Sequence, residues 1–230
     1  MQIIILAGGL AKRLRPITKT TPKALINIKS LPFIEYQLRY LENQGVSSVI
    51  LCLGYLGEKI IKYISSQNYN FEIKFSHDGK ELLGTGGAIK KAINLLDDEF
   101  LVMYGDSFLP IDFYPVFDKF AKSTKSALMT LIKNNNKWDK SNVVFKKNKI
   151  ELYDKLNYRN DMNYIDYGLS VFKKKVFLNI DEKNFDLAIT FKKLSLLNEL
   201  DSFCVESRFY EIGSKKGIED FEKFIHETYN

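Results

Sequence analysis

Strand-like apolar runs alternate with helix-spaced apolar residues through the first hundred positions, and this alternation constrains the fold more than any other feature. Ile3 to Leu6 is a run closed by glycines, as a buried strand is where it turns at its carboxyl end. Ile34, Leu38 and Leu41 recur at helical spacing, with Gly45 where a helix C-cap belongs. Val49 to Leu53 is a second buried run, Ile60, Ile61 and Ile64 mark a second helix, and Phe71 to Phe75 alternates as a strand. Ile89, Ala92, Ile93 and Leu96 form a third helical face before Phe100 to Met103 returns to strand. Strands joined by helical crossovers imply an α/β fold with a mainly parallel sheet and helices on both faces.

The second half carries a different rhythm. Ala127 to Ile132, Val143 to Phe145, Ile150 to Tyr153 and Leu169 to Phe172 are short strands parted by polar turns such as Asn134-Asn135-Asn136 and Lys147-Asn148. They predict an antiparallel or mixed extension of the same sheet. A last helix is expected after Gly213, with Ile218, Phe221 and Ile225 on one face. No linker or repeat interrupts the chain, so residues 1–230 read as a single domain.

Composition removes several function classes. With 45% hydrophobic and 13% aromatic residues, the chain is too apolar for disorder. No stretch approaches the roughly 20 apolar residues of a membrane span. The opening MQIIILAGG has no basic flank and is cut by glycines, so it is no signal peptide, and a cytoplasmic location is expected. Cys52 and Cys204 both sit in apolar runs and are expected to be small buried hydrophobes in strands, not disulfide partners or metal ligands. The formal charge of +6 comes mostly from scattered lysines, the five arginines being Arg13, Arg15, Arg39, Arg159 and Arg208. That pattern argues against a nucleic-acid partner and for attraction of small anions.

The most informative stretch is LAGGLAKRLRPITKTTPKAL, residues 6 to 25. A strand ends at Leu6, Gly8 and Gly9 permit backbone angles and close approaches that side chains forbid, and Lys12, Arg13, Arg15, Lys19 and Lys23 follow. Exposed backbone N–H groups with cations nearby suit a polyphosphate. The loop is neither a Walker A sequence nor a GxGxxG fingerprint. It resembles the signature of the sugar-1-phosphate nucleotidylyltransferases, GGxGTRLxPLTxxxPKxL, through Gly8, Gly9, Arg13, Leu14, Pro16, Thr18, Pro22, Lys23 and Leu25. It departs at Ala11 and Lys12, where the family has Gly and Thr. Ala11 asks little if its backbone lies near an ordinary region.

The resemblance runs on along the chain. Leu83-Gly84-Thr85-Gly86-Gly87-Ala88 is similar to the family's second glycine motif, set against the nucleobase at a helix start; a helix N-terminus capped by Thr85 is the plainer reading. Tyr104-Gly105-Asp106 resembles the strand-end Gly-Asp whose carboxylate holds the metal, a position where open α/β sheets gather ligands. Asp154-Lys155 falls where the family has Glu-Lys beside the sugar phosphate, and Tyr167-Gly168 resembles a glycine under the sugar ring. Glu211-Ile212-Gly213-Ser214 is similar to Asp-x-Gly-Thr, which makes Glu211 the second metal ligand, with Asp166 as its rival.

The resemblance implies a Rossmann-like catalytic domain with a nucleotide-binding half, 1–110, and a sugar-phosphate-binding half, 111–230. Leu6, Ala7, Gly8, Gly9, Lys12, Arg13, Leu83, Gly84, Thr85 and Gly86 would contact a nucleoside triphosphate. Lys23, Asp154, Lys155, Tyr167 and Gly168 would contact a sugar 1-phosphate, and Asp106 and Glu211 would hold Mg²⁺. Arg13 and Lys23 are the implied catalytic cations, on the leaving pyrophosphate and between the reacting phosphates. The overall pattern is closest to short bacterial enzymes that activate heptose or mannose for cell-surface polysaccharides, so GTP is the expected donor, with uridylyl or cytidylyl transfer as alternatives. A nucleotide sensor that has lost the chemistry is a rival on Ala11, Lys12 and Glu211. A glycosyltransferase is disfavoured because no Asp-x-Asp metal motif occurs. Only about 17 residues follow Gly213, so no appended acyltransferase or regulatory segment is expected. Tyr69, Phe71 and Tyr114 are candidates for exposed contacts in a homo-oligomer.

Overall fold

The computed structural model describes residues 1–79 and 81–229. Along the chain come β1 (Gln2–Leu6), the hairpin β2 (Asn27–Ile28) and β3 (Leu31–Pro32), α1 (Phe33–Glu42), β4 (Ser48–Leu53), α2 (Gly57–Ile64) and β5 (Glu72–His77). Then follow α3 (Gly84–Lys91), β6 (Glu99–Tyr104), β7 (Ser107–Phe108), α4 (Tyr114–Ala121), β8 (Ala127–Lys133), β9 (Val143–Lys146) and β10 (Lys149–Tyr153). The chain closes with β11 (Tyr164–Lys173), α5 (Lys175–Leu178), α6 (Leu187–Leu196), β12 (Leu200–Val205), β13 (Tyr210–Glu211) and α7 (Lys215–Tyr229).

The main sheet runs β5-β4-β1-β6-β11-β8-β12, and the β9–β10 hairpin joins β11 where Tyr164 meets Val143. Neighbours are parallel except at β11, which is antiparallel to both β6 and β8. The carboxyl ends of β1, β4, β5 and β6 therefore share one edge, and the reversed β11 begins at that same edge. This is the mixed, mainly parallel sheet in a single domain that the sequence predicts.

The continuous apolar runs have a direct explanation: both faces of the sheet are covered. Ile3, Ile5, Val49, Leu51 and Leu53 pack into one core with α1, α2 and α4. Ile4, Ile50, Cys52, Phe100 and Val102 point the other way, into a core with α3 and α6. Each fully buried isoleucine or leucine stabilises the fold by roughly 1.5–3 kcal/mol, so neither face tolerates a slip of register. A third, smaller core of Leu14, Phe33, Phe108, Ile212 and Phe221 seats α7, with the rings of Phe33 and Phe221 edge to face at 5.2 Å.

Several expectations need correction. α4, α5 and α6 have no counterpart in the sequence reading, whereas β12 is the strand expected around Cys204. α6 is apolar around much of its circumference, with Leu187 and Phe191 buried but Ile189 and Leu196 exposed, so its helical period is blurred. Cys52 is buried as expected, and burial pushes its thiol up, but Cys204 on β12 is exposed. Of the three aromatics offered as exposed contacts, Phe71 is buried, Tyr69 is half-buried with its hydroxyl on Glu35, and Tyr114 alone stands in solvent.

Candidate active site

At its glycines the loop after β1 is shaped by close approach, not by special backbone angles. The Ala7 N–H donates to the Cys52 carbonyl at 2.9 Å, so the strand continues one residue beyond Leu6 before the chain leaves the sheet. A Cβ on Gly8 would lie 3.2 Å from both the Gly54 nitrogen and Asp78 Oδ2, and one on Gly54 would lie 2.5 Å from the Gly8 carbonyl oxygen. Neither Gly8 nor Gly9 has a positive φ. A Cβ on Gly9 would meet nothing within 4 Å, so its backbone faces open space. Ala11, by contrast, has φ 46° and ψ 44°, the left-handed region where the family's glycine belongs. The condition under which alanine would cost little is not met. The Thr18 hydroxyl donates to the Ala11 carbonyl at 2.9 Å and holds the turn. Lys12 and Arg13 then stand exposed on a short 3₁₀ turn whose Leu14 is buried in the third core.

Two clefts open at this edge of the sheet. The smaller, about 240 Å³, is lined by Leu6, Ala7, Gly8, Gly9, Gly84 and Thr85 together with Lys23, Asp78 and Asp106. The larger, about 840 Å³, is lined by Arg13, Lys155, Asp166 and Glu211 with Trp138 and Arg208. Thr85, Tyr104 and Asp106 belong to both. Asp106 thus sits at the junction, and Lys23 Nζ lies 2.7 Å from its Oδ2.

Glu211 reaches the junction through backbone pairing. β13 is antiparallel to β7, so Glu211 lies opposite Ser107, and the Ile212 N–H donates to the Asp106 carbonyl at 2.9 Å. Its carboxylate accepts from the Gly213 N–H at 2.8 Å. A Cβ on Gly213 would overlap that carboxylate, so the missing side chain is what makes room for it. Gly217, inside α7, is needed for a similar reason: its Cβ would overlap the Glu211 carbonyl. No group of three or more His, Cys, Asp or Glu that could cage a metal occurs among the described residues. Asp106 and Glu211 nevertheless line one cleft, and two hard carboxylates suit Mg²⁺, which is usually held by one or two carboxylates and completed by phosphate oxygens and water.

The second glycine motif proves to be largely about packing. A Cβ on Gly84, whose φ is +72°, would lie 2.5 Å from the Phe185 carbonyl oxygen, and one on Gly86 would overlap the Phe185 ring. The Phe185 carbonyl accepts from the N–H groups of Gly86 and Gly87, at 3.0 and 3.3 Å, so these donors at the start of α3 are already engaged. Thr85 does not cap its own helix. Its oxygen accepts from the Leu187 N–H at 2.8 Å and its hydroxyl lies 3.1 Å from Asp186 Oδ1, which ties α3 to the start of α6. Leu83 and Gly86 are not among the residues that line the smaller cleft.

On the other side, Asp154 and Lys155 part company. Lys155 is exposed and lines the larger cleft. The Asp154 carboxylate is 7% exposed and accepts from the N–H groups of Leu156 and Asn157 and from Lys192 Nζ at 2.7 Å. Burial pushes this carboxyl up, but the hydrogen bonds outweigh it and hold the group well below the usual range. Tyr167 is buried in the core, its ring edge-on to Phe209, while Gly168 takes φ +105° at a bulge in β11. Asp166 lies on the floor of the larger cleft, accepting from the Gly168 N–H at 2.9 Å, and burial pushes its carboxyl up to about 6. Sequence reasoning missed Asp78, Gly54 and Gly217, whose importance lies in what they meet across the fold and has no local signal.

Residues 2–226 match the family model described as Nucleotidyl transferase. The chain belongs to that family. Among relatives of this nucleotidyl transferase is the D-glycero-alpha-D-manno-heptose 1-phosphate guanylyltransferase of Aneurinibacillus thermoaerophilus, 32% identical over 93% of each chain. The Campylobacter jejuni enzyme of the same name is 35% identical over 78% of this chain and 73% of its own length. HddC from Yersinia pseudotuberculosis, solved in complex with GMP-PN, superposes with a TM-score of 0.79 at 25% identity, covering 97% of this chain and 99% of that one. No helix among the described residues is long and apolar enough to cross a membrane.

Proposed function

We propose that this nucleotidyl transferase moves the guanylyl group of GTP onto a heptose or hexose 1-phosphate, giving a nucleotide-sugar and pyrophosphate. The observation that carries the reading is the Lys23–Asp106 pair at the junction of the two clefts, one sized for a base and the other larger and lined by both cations and carboxylates. The smaller cleft is built wholly from residues 6–106, which supports a donor half at 1–110 and an acceptor half at 111–230. Guanine as the base is supported by the guanylyltransferases among the relatives.

In this reaction a sugar-phosphate oxygen attacks the α-phosphorus in line, the new P–O bond forms, and the bond to the β-phosphate oxygen breaks with its electron pair leaving on pyrophosphate. The protein's task is positioning and charge neutralisation, since no nucleophile of its own is required. The backbone at Gly9, which faces open space, gives the α-phosphate and ribose room. Arg13, exposed on its turn and lining the larger cleft, neutralises charge growing on the departing phosphates. Lys23 lowers the repulsion between α-phosphate and sugar phosphate, and Lys155 steadies the latter from the far wall. Asp106 and Glu211 would hold Mg²⁺, which supplies the remaining neutralisation of phosphate charge when bound. The product is a precursor for cell-surface polysaccharide, made in the cytoplasm.

The test is a pyrophosphate-release screen of GTP, ATP, CTP, UTP and dTTP against a panel of sugar 1-phosphates with Mg²⁺. GTP with a heptose or mannose 1-phosphate is expected to be the best pair, and Lys23→Ala and Asp106→Asn to lower turnover by roughly 10²–10³-fold. Binding of GTP with no pyrophosphate from any acceptor would indicate a sensor instead. Full turnover by a folded Asp106→Asn variant would remove the metal assignment.

A further inference from the structure

The second glycine motif directs its backbone donors at the protein itself, and the segment they hold leads straight into α6. The Phe185 carbonyl takes the N–H groups of Gly86 and Gly87, and Thr85 is bonded to both Asp186 and Leu187. Asp186 also caps α6, its Oδ1 accepting from the Ala188 N–H at 2.9 Å. From that end α6 runs ten residues, or about 15 Å, and its second half grips the end of β10. The Phe191 and Tyr153 ring centroids are 5.4 Å apart, Ser195 Oγ accepts from the Tyr153 N–H at 3.1 Å, and Lys192 Nζ reaches Asp154 Oδ2 at 2.7 Å. Leu187, Phe191 and Leu194 are buried in the second core, so the helix cannot shift without disturbing close packing.

The residue after this grip is Lys155, whose charge acts on Asp166 at the floor of the larger cleft. Among the described residues the Lys155 side chain has no hydrogen bond or ion pair, so its place is set by its backbone. Asp154 fixes that backbone through the N–H groups of Leu156 and Asn157, and Lys192 fixes Asp154. We propose that α6 is a strut between the second glycine motif and the acceptor cleft, with Lys192 as the positioning residue that places Lys155 for the sugar phosphate. The inference rests on the reading of Lys155 as a sugar-phosphate ligand and adds what holds it there. It also gives the glycine motif a task besides packing: it locates the acceptor lysine from the donor side. Neither Lys192 nor Asp186 is among the described residues that line either cleft, so both act through what they hold.

Lys192→Met keeps the aliphatic stem and removes the ammonium. It is expected to raise KM for the sugar 1-phosphate by about tenfold, to leave KM for the donor triphosphate within about twofold, and Lys192→Arg to restore most of the loss. At the other end of the strut, Asp186→Ala is expected to raise the acceptor KM by about threefold and Asp186→Asn to restore it. In a Lys155→Ala background Lys192→Met is expected to add nothing further, because it acts through that lysine. An unchanged acceptor KM in Lys192→Met, or a further rise on top of Lys155→Ala, would overturn the positioning role. Donor and acceptor KM values that rise together with a lower melting temperature would do the same, leaving α6 a purely structural helix. An acceptor KM indifferent to Asp186→Ala would overturn the strut. Lys155→Ala with a wild-type acceptor KM would instead overturn the reading of Lys155, and wild-type enzyme that transfers to no sugar 1-phosphate would overturn the proposed reaction, each taking this inference with it.

Discussion

Ala11 holds a conformation that an L-residue adopts at a cost of about 1–2 kcal/mol, at the turn that carries Arg13 into the lining of the larger cleft; Lys12 on the same turn lines neither cleft. Replacement by glycine, the residue its family carries there, is expected to raise stability by about 1 kcal/mol, less a few tenths for the greater freedom of the unfolded chain. Denaturant midpoints of the two proteins check this, and a lower midpoint for Ala11→Gly would contradict it. Gln37 shows the opposite economy. It is 1% exposed on α1, and its Nε2 donates to the carbonyls of Tyr104 and Ser107, at 3.1 and 2.7 Å, on either side of Asp106. Among the described residues its Oε1 is buried without a partner, so the side chain is kept for its donors. Gln37→Leu is expected to cost about 1–3 kcal/mol by leaving two buried carbonyls unpaired, and to lower turnover by loosening the turn under Asp106. Calorimetric melting and an activity assay on the same sample separate the two effects.

At the scale of elements, the glycine loop and the strand-end Gly-Asp were legible because the chain is continuous there: strand, turn and functional residue are neighbours in sequence. α6 was not, since a helix apolar around much of its circumference carries no distinctive period. Asp154 illustrates a motif residue whose local structure assigns it elsewhere. Its carboxylate organises residues 154–157 and anchors that loop to α6 through Lys192, leaving Lys155 at the cleft. Because its folded pKa lies below the unfolded value, its contribution to stability is present above about pH 4 and is lost as pH falls further. Asp154→Asn should therefore destabilise the protein at pH 7, and the gap between the two denaturant midpoints should close as pH approaches 2. A gap that stays constant across that range would show the carboxylate to be unimportant in its charged form.

The whole molecule explains why net charge alone pointed to an anion without identifying it. Of the cations proposed to meet the phosphates, Lys23 is paired with Asp106, whereas Lys12, Arg13 and Lys155 are exposed. Their attraction is screened over about 8 Å at physiological ionic strength, so KM for the triphosphate should rise several-fold between low and high salt while kcat changes less. Initial rates across a salt series check this, and a flat KM would place the binding energy elsewhere. The reversed strand β11 has a consequence of a different kind. Because it starts where β1, β4 and β6 finish, the loop from 154 to 163 comes to the mouth of the larger cleft from a separate part of the chain, with no shared turn. The two halves of the reaction are therefore open to separate revision: a lineage can rewrite this loop to accept a new partner while its preference among donors is inherited intact.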